Sequence, residues 1–184
     1  MKYYCMYANT CVEEYAKPGK GIQVLERGCL NSEFQFLDQS TLTVELSDEG
    51  GLQFPDFILS GCVPLISQRF KEILDTFAVD NLFYKQIRFV FPQLGVHSVY
   101  WLALPPRIQC LDLQKSMIDT ENNEYILPYE KMREAKKIVI NESEVGRYHI
   151  FKLAGVVNQD IIVTETLKRI LSESNLENLY FSEV

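Results

Sequence analysis

Cysteine and histidine are the residue types in this sequence best suited to nucleophilic chemistry. The chain contains Cys5, Cys11, Cys29, Cys62, Cys110, His97 and His149. A catalytic cysteine needs a histidine beside its thiol and a third group that orients the ring. The spacing of these residues gives no support for such a set, and buried structural thiols are the ordinary alternative. We therefore predict no catalytic residue. A small Cys-His hydrolase stays an alternative that requires a pocket holding one histidine against a cysteine.

The sequence also lacks the usual metal and cofactor motifs. No two cysteines have Cys-x-x-Cys spacing, and two histidines cannot complete a familiar ligand cluster. Neither glycine-rich phosphate-binding pattern is present, and Lys17 to Gly21 has the composition of a turn. Neighbouring carboxylates such as Asp48 and Glu49 are expected on the solvated surface. The prediction is that the protein binds no metal and no cofactor.

The charge balance narrows the class of partner. The formal net charge is -7, whereas proteins that bind a phosphate backbone cluster lysine and arginine. Nucleic acid is therefore not an expected partner. An acidic surface can instead attract a basic protein and accelerate the encounter. The alternative is that the charge only keeps the protein soluble.

Length and composition predict one cytoplasmic domain spanning residues 1–184. The chain is 47% hydrophobic and 23% charged, which is typical of a globular protein with one core. The cysteine count is odd, and no basic start followed by an apolar run marks a signal peptide. The longest apolar run, Val99 to Leu104, is too short to cross a bilayer. We therefore expect no membrane partner.

Alternating and periodic apolar residues predict an α+β fold, with a mostly antiparallel or mixed sheet and two amphipathic helices. The predicted helices are Ser67 to Phe77 and Thr164 to Ser174, each starting at a hydroxyl N-cap, with a third short helix at Glu130 to Lys137. Ser47 to Gly51 is a predicted surface turn. Strands are predicted at Lys2–Tyr7, Phe34–Leu37, Leu42–Leu46, Asn81–Phe91, Val99–Leu104, Ile108–Leu113, Ile138–Ile140, His149–Leu153 and Leu179–Phe181.

An internal repeat relates residues near 57–91 to residues near 150–184. A shift of 97 residues places Ile66-Ser67 on Val163-Thr164 and Asp80-Asn81 on Glu177-Asn178 without a gap. Both segments predict a strand, a capped helix, a tight turn and a second strand, and we expect them to pack alike. The alternative is that any strand-helix-strand unit has this pattern. Residues 1–54 form a separate strand-rich part of the same domain.

Several segments, taken in order, resemble a known family. They are Pro55-Asp56, Leu65 to Leu74, Leu111 to Ser116, Ile150 to Leu153, Ile162 to Lys168 and Leu176 to Phe181. Together they are similar to the eleventh immunity-protein family of bacterial polymorphic toxin systems, over residues 55–184. Asn178 is a departure, because the family pattern has a glycine in this turn. Asparagine tolerates the left-handed backbone and can replace it.

The resemblance implies a non-catalytic cytoplasmic protein, encoded beside a toxin gene, that binds the cognate toxin domain and covers its active site or substrate surface. An interaction or regulatory module with an unknown partner is the alternative. Acidic residues steer a partner and aromatic residues anchor it, so we predict a partner-binding site at Glu45, Asp48 and Glu49 with tyrosines nearby. Polar residues of the matched segments, Asp56, Asp112 and Ser116, either contact the toxin or satisfy turn and cap amides.

Overall fold

The computed structural model describes residues 1–31, 42–91, 93–119 and 134–184. The helices are α1 (Ile22–Asn31), α2 (Gln68–Thr76), α3 (Glu142–Val145) and α4 (Glu165–Glu173). The strands are β1 (Tyr3–Tyr7), β2 (Leu42–Glu45), β3 (Phe57–Ser60), β4 (Val63–Ile66), β5 (Phe83–Phe91), β6 (Val96–Leu104), β7 (Arg107–Ile108), β8 (Met117–Asp119), β9 (Glu134–Lys137), β10 (Ile150–Leu153), β11 (Ile161–Thr164) and β12 (Tyr180–Glu183).

The described strands form two five-stranded mixed sheets and one two-stranded ribbon, which confirms the predicted α+β class. The first sheet has the order β12-β1-β11-β10-β7, the second has the order β2-β5-β6-β4-β3, and β8 pairs with β9. The pairs β2 with β5 and β7 with β10 are parallel, and the other strand pairs described are antiparallel. None of the helices described is long and apolar enough to cross a membrane.

The two repeated segments lie in different sheets but occupy equivalent places in them. The first unit contains β3, β4, α2 and β5, and β6 lies between β4 and β5 in the second sheet. The second unit contains β10, β11, α4 and β12, and β1 lies between β11 and β12 in the first sheet. The registers agree, because Ile66 pairs with Trp101 and its counterpart Val163 pairs with Tyr4. The closing strand of the first unit, β6, follows β5 directly in the chain, whereas the closing strand of the second unit, β1, lies far from β10 to β12 in sequence.

Side chains repeat along with the backbone. Ser67 accepts a hydrogen bond from the amide of Phe70, and Thr164 accepts one from the amide of Leu167, as predicted for the two N-caps. The turn after each helix has a residue with positive φ, Ala78 in one unit and Asn175 in the other. The repeat thus extends to caps and turns.

The repeated lysines continue the match. The Lys71 ammonium lies 5.3 Å from the Trp101 ring centroid, and the Lys168 ammonium lies 5.3 Å from that of Tyr4. These positions are equivalent in the two sheets, so the lysine-aromatic contact is duplicated as well.

The two helices of the repeat pack into one shared core. Phe70 and Leu74 of α2 and their counterparts Leu167 and Leu171 of α4 are at most 1% exposed and belong to the same apolar cluster. Burial of side chains this large contributes about 1.5 to 3 kcal/mol each, so the core ties the two sheets together. Helix α1 packs on the opposite face of the second sheet through Ile22, Leu25 and Cys29.

Three sequence predictions were wrong in detail, and one helix was missed. Residues Glu134–Lys137 form strand β9 rather than a helix, because pairing with β8 and a bond from the Ala135 amide to Asn158 Oδ1 (2.9 Å) override local preference. The predicted strand at Ile138 to Ile140 is a single bridge between Ile140 and Leu111. The predicted strand Ile108–Leu113 ends at Ile108 in β7. Helix α1 was not predicted. Phe34–Leu37 and residues 130–133 lie outside the described residues.

Candidate partner-binding surface

The acidic residues predicted to bind a partner lie on β2 and the turn that follows it. The Glu45 side chain is exposed at the end of β2. Both backbone polar groups of Glu45 are hydrogen-bonded: its carbonyl accepts from the Gly19 amide (2.8 Å), and its amide donates to the Lys20 carbonyl (2.9 Å). Asp48 and Glu49 are exposed in the turn, where Ser47 Oγ accepts from the Glu49 amide at 3.2 Å. All three carboxylates are therefore available to a partner from one end of the sheet.

Two glycines dock this turn onto the chain near Tyr15. The Gly51 amide donates to the Tyr15 carbonyl at 3.0 Å, and an added Cβ at Gly51 would lie 2.1 Å from the Glu14 carbonyl oxygen. At Gly50 an added Cβ would lie 2.7 Å from the Lys17 amide. Only glycine allows the two backbones to come this close. The acidic turn is consequently held against the segment that carries Tyr15.

A cleft of about 270 Å³ opens beside the turn. Its lining residues include Glu49, Tyr15, Ser60, Gly61 and Asn178. Glu45 and Asp48 are not among the lining residues, so they lie outside it. The structure thus brings Glu49 to the cleft and leaves the other two predicted residues beside it.

Three tyrosines stand near this cleft. Tyr7 and Tyr180 stack with ring centroids 5.7 Å apart, and each is 43% exposed. Partial burial raises the pKa of Tyr15, and the negative charges of Glu177 and Glu14 together with neighbouring Tyr180 raise it further. We call these three tyrosines with Glu14, Glu49 and Glu177 the acidic tyrosine surface.

This surface is chemically suited to recognition. Half-exposed rings supply contact area at a low entropic cost, and carboxylates can pair with the lysine or arginine side chains of a partner. Within the described parts of the chain no three His, Cys, Asp or Glu side chains converge as metal ligands. The geometry here offers no nucleophile held by a base.

The two histidines do not face thiols in the described structure. His149 Nδ1 lies 3.0 Å from Thr164 Oγ1, and His97 is exposed on β6. In residues 1–31, 42–91, 93–119 and 134–184 no histidine is hydrogen-bonded to a cysteine, and all five cysteines are free thiols. The pocket required by a Cys-His hydrolase does not appear there.

The polar residues of the matched segments satisfy local backbone and side-chain groups. Asp56 is 8% exposed and accepts from Ser67 Oγ (2.6 Å) and the Glu177 amide (3.0 Å). Asp112 Oδ1 accepts from the Gln114 and Lys115 amides, and Ser116 Oγ accepts from the Val139 amide. These side chains hold caps and turns in place. Of the two roles considered for them, toxin contact and satisfaction of turn and cap amides, these bonds are those of the second.

The comparison with known families decides the classification. Residues 12–184 match the model of the Immunity protein family (Imm11). The chain belongs to this immunity protein family. The match begins well before residue 55, so it includes Tyr15, the predicted acidic residues and most of the first fifty residues, which the sequence resemblance left out. A search of curated proteins gives no match.

The sequence did not reveal which tyrosines form the acidic tyrosine surface of this immunity protein. Tyr7, Tyr15 and Tyr180 are far apart in sequence, and Tyr7 meets Tyr180 only because β1 pairs with β12. The clue available in the sequence was the general enrichment of tyrosine, with ten residues. Composition indicates that anchors exist but cannot say which of them share a surface.

Proposed function

We propose that this member of the immunity protein family binds a cognate bacterial polymorphic toxin domain and neutralises it by covering its active site or substrate surface. The observation that carries the proposal is the family match over residues 12–184. The protein acts through protein-protein contact in the cytoplasm, without catalysis of its own. Five free thiols are consistent with a reducing compartment.

The proposed contact region is the acidic tyrosine surface together with Glu45 and Asp48. The docked turn presents its carboxylates from a fixed backbone, so little conformational entropy is lost when a partner binds. The stacked Tyr7-Tyr180 pair supplies the aromatic anchor that the centre of an interface favours. The net charge of -7 steers a basic toxin domain toward the protein.

Toxicity rescue tests the function. The C-terminal domain of the large protein encoded beside this gene is expressed in a bacterium with and without the chain. Rescue together with a co-purifying complex supports the proposal. A toxic neighbour that the chain does not neutralise contradicts it and favours an interaction or regulatory module with another partner.

Charge reversal tests the contact region. The triple variant E45K/D48K/E49K is compared with the control E134K/E144K/E173K, which changes exposed carboxylates elsewhere by the same total charge. We expect the first variant to weaken toxin binding by about 10-fold or more, mainly through slower association, and the control to change it by about 3-fold or less. Surface plasmon resonance measures both rates. Equal behaviour of the two variants would remove these three residues from the interface.

A further inference from the structure

Strand β12 forms one end of the first sheet, so one of its two edges faces away from β1. The described residues place no strand on this outer edge. The strand is accessible, because the side chains of Tyr180, Ser182 and Glu183 are exposed and that of Phe181 is half-buried. A sheet edge carries backbone donors and acceptors that can pair with a strand of another chain. The outer edge of β12 is therefore a candidate place for such a strand.

The pairing of β12 with β1 decides which backbone groups point outward. The amide of Val184, directly after β12, donates to the Tyr3 carbonyl at 3.0 Å. Hydrogen-bonded pairs recur at every second residue of an antiparallel ladder, so Ser182 also directs its backbone groups to β1. Phe181 and Glu183 direct theirs to the outer edge. In the part of the chain that the structure describes, no hydrogen bond satisfies these outward groups.

The other edges of the repeated strands are covered, at least in part, by the chain itself. Strand β2 pairs with the outer edge of β5, just past the residues that correspond to β12, and β7 pairs with the outer edge of β10. At the edge of β3, the Phe57 amide donates to the Glu177 carbonyl (3.2 Å), and the Phe57 carbonyl accepts from Asn178 Nδ2 (3.0 Å). Within the described residues, β12 is the fourth of these edges and has neither a strand nor a backbone bond on its outer side.

The side chains beside this edge favour an extended, basic segment of another protein. Tyr180 begins β12 and stacks on Tyr7, with both rings partly exposed. Neighbouring strands lie about 4.8 Å apart, so a strand added to β12 would bring a side chain against the Tyr180 ring. Glu177, just before β12, is exposed and forms no ion pair with a described residue. It can pair with a lysine or arginine, whereas the net charge of -7 works against a second copy of this chain.

We propose that the toxin domain adds an extended segment to the outer edge of β12, where it becomes a sixth strand of the first sheet and pairs with the backbone of Phe181 and Glu183. This inference rests on the proposed function and specifies how the partner is held. Main-chain hydrogen bonds supply affinity, while an apolar side chain against Tyr180 and a basic one near Glu177 supply specificity. The added strand continues the acidic tyrosine surface, because Tyr180 and Glu177 belong to both.

Amide hydrogen exchange followed by NMR tests the edge. In the isolated protein we expect the Phe181 and Glu183 amides to exchange about 10-fold or more faster than the Ser182 amide, which faces β1. In the complex with the toxin domain encoded beside this gene, both outward amides should slow by about 10-fold or more. Slow exchange of both in the isolated protein would overturn the proposal, as would slowing that depends on protein concentration and so marks a second copy. Unchanged exchange in a complex that does form would also overturn it.

A proline variant with a matched control tests the backbone bonds. E183P removes one outward amide and takes no bond from β1, so the strand should keep its fold, which circular dichroism verifies. E183A removes the same carboxylate but keeps the amide. We expect E183P to weaken toxin binding by about 10-fold and E183A to weaken it by about 3-fold or less, as measured by surface plasmon resonance.

Equal binding by folded E183P and E183A would overturn the added strand and leave the proposed function standing. A toxin domain that the unchanged chain does not bind would contradict the proposed function itself, and this inference with it. The two failures are therefore distinguishable.

Discussion

Asn178 connects the two units of the repeat, and replacing it with alanine should destabilise the protein by about 4 kcal/mol. Its side chain is nearly buried, its Nδ2 donates to the Phe57 carbonyl at 3.0 Å, and its Oδ1 accepts from the Asn9 amide at 3.0 Å. Leaving the buried Phe57 carbonyl without this donor costs about 2 kcal/mol, and loss of the partly buried amide bond costs about 1 kcal/mol. Alanine at φ 62° adds about 1 kcal/mol of backbone strain.

The repeat supplies the control for this substitution. Asn81 is the counterpart of Asn178, and its Nδ2 donates to the carbonyl of Ile150 at 2.8 Å. Ile150 occupies the place of Phe57 in the sheet, because it pairs with Val163 as Phe57 pairs with Ile66. Asn81 has no positive φ and makes this one side-chain bond in the described structure. N81A should therefore cost only about 1 to 2 kcal/mol. The difference between the two variants measures the additional bond and the backbone strain at Asn178.

A third variant separates these contributions. N178G removes both hydrogen bonds but tolerates the positive φ, so it should be about 1 kcal/mol more stable than N178A. Equilibrium urea unfolding, followed by Trp101 fluorescence, gives the free energy of unfolding when the denaturant slope is unchanged. N178A within about 1 kcal/mol of the unchanged protein, or N81A as destabilised as N178A, would refute this account of the junction.

Five further substitutions test the close approaches, the helix caps and a buried tyrosine hydroxyl. G51A should lower stability by about 3 kcal/mol or more, because the added Cβ would collide with a backbone carbonyl. G95A is the control: no atom lies within 4 Å of its added Cβ, so it should cost only about 1 kcal/mol for the positive φ. Thermal unfolding compares the two variants. S67A and T164A should each cost about 2 kcal/mol, because each hydroxyl caps a helix and also bonds a second side chain, that of Asp56 or His149; negligible losses in urea unfolding would contradict this. Y100F should cost about 1 to 2 kcal/mol, because the buried Tyr100 hydroxyl donates to a backbone carbonyl; chemical denaturation measures the loss, and an unchanged midpoint would show that this bond contributes nothing.

Local patterns explain why α2 and α4 could be predicted from the sequence. Their apolar residues recur with helical spacing, and Ser67 and Thr164 cap the first amides within three residues. Helix α1 has similar apolar spacing in Ile22, Leu25 and Cys29, but Gly21 stands before it in place of a hydroxyl N-cap, and the helix was not predicted. Strand β9 shows the opposite case, because its residues favour a helix and only pairing with β8 makes them a strand.

The candidate contact region was predictable only in part. Glu45, Asp48 and Glu49 are neighbours in sequence, so their common location follows from the chain itself. Their relation to the tyrosines does not, because Tyr15 reaches the turn through two glycines whose close packing no local pattern reveals. That these residues bind a toxin remains a prediction.

The sequence by itself determined the α+β class, the capped helices, the 97-residue repeat and the family resemblance, since each depends on periodicity or motif order along the chain. Only the tertiary structure decided that the two units lie in separate sheets and that β1 closes the second unit while β6 closes the first. It also placed the Lys152 ammonium 3.2 Å from the Cys62 carbonyl. Apart from the β5-β6 hairpin, these are contacts between residues far apart in sequence, and their formation depends on which strands pair and which faces are buried.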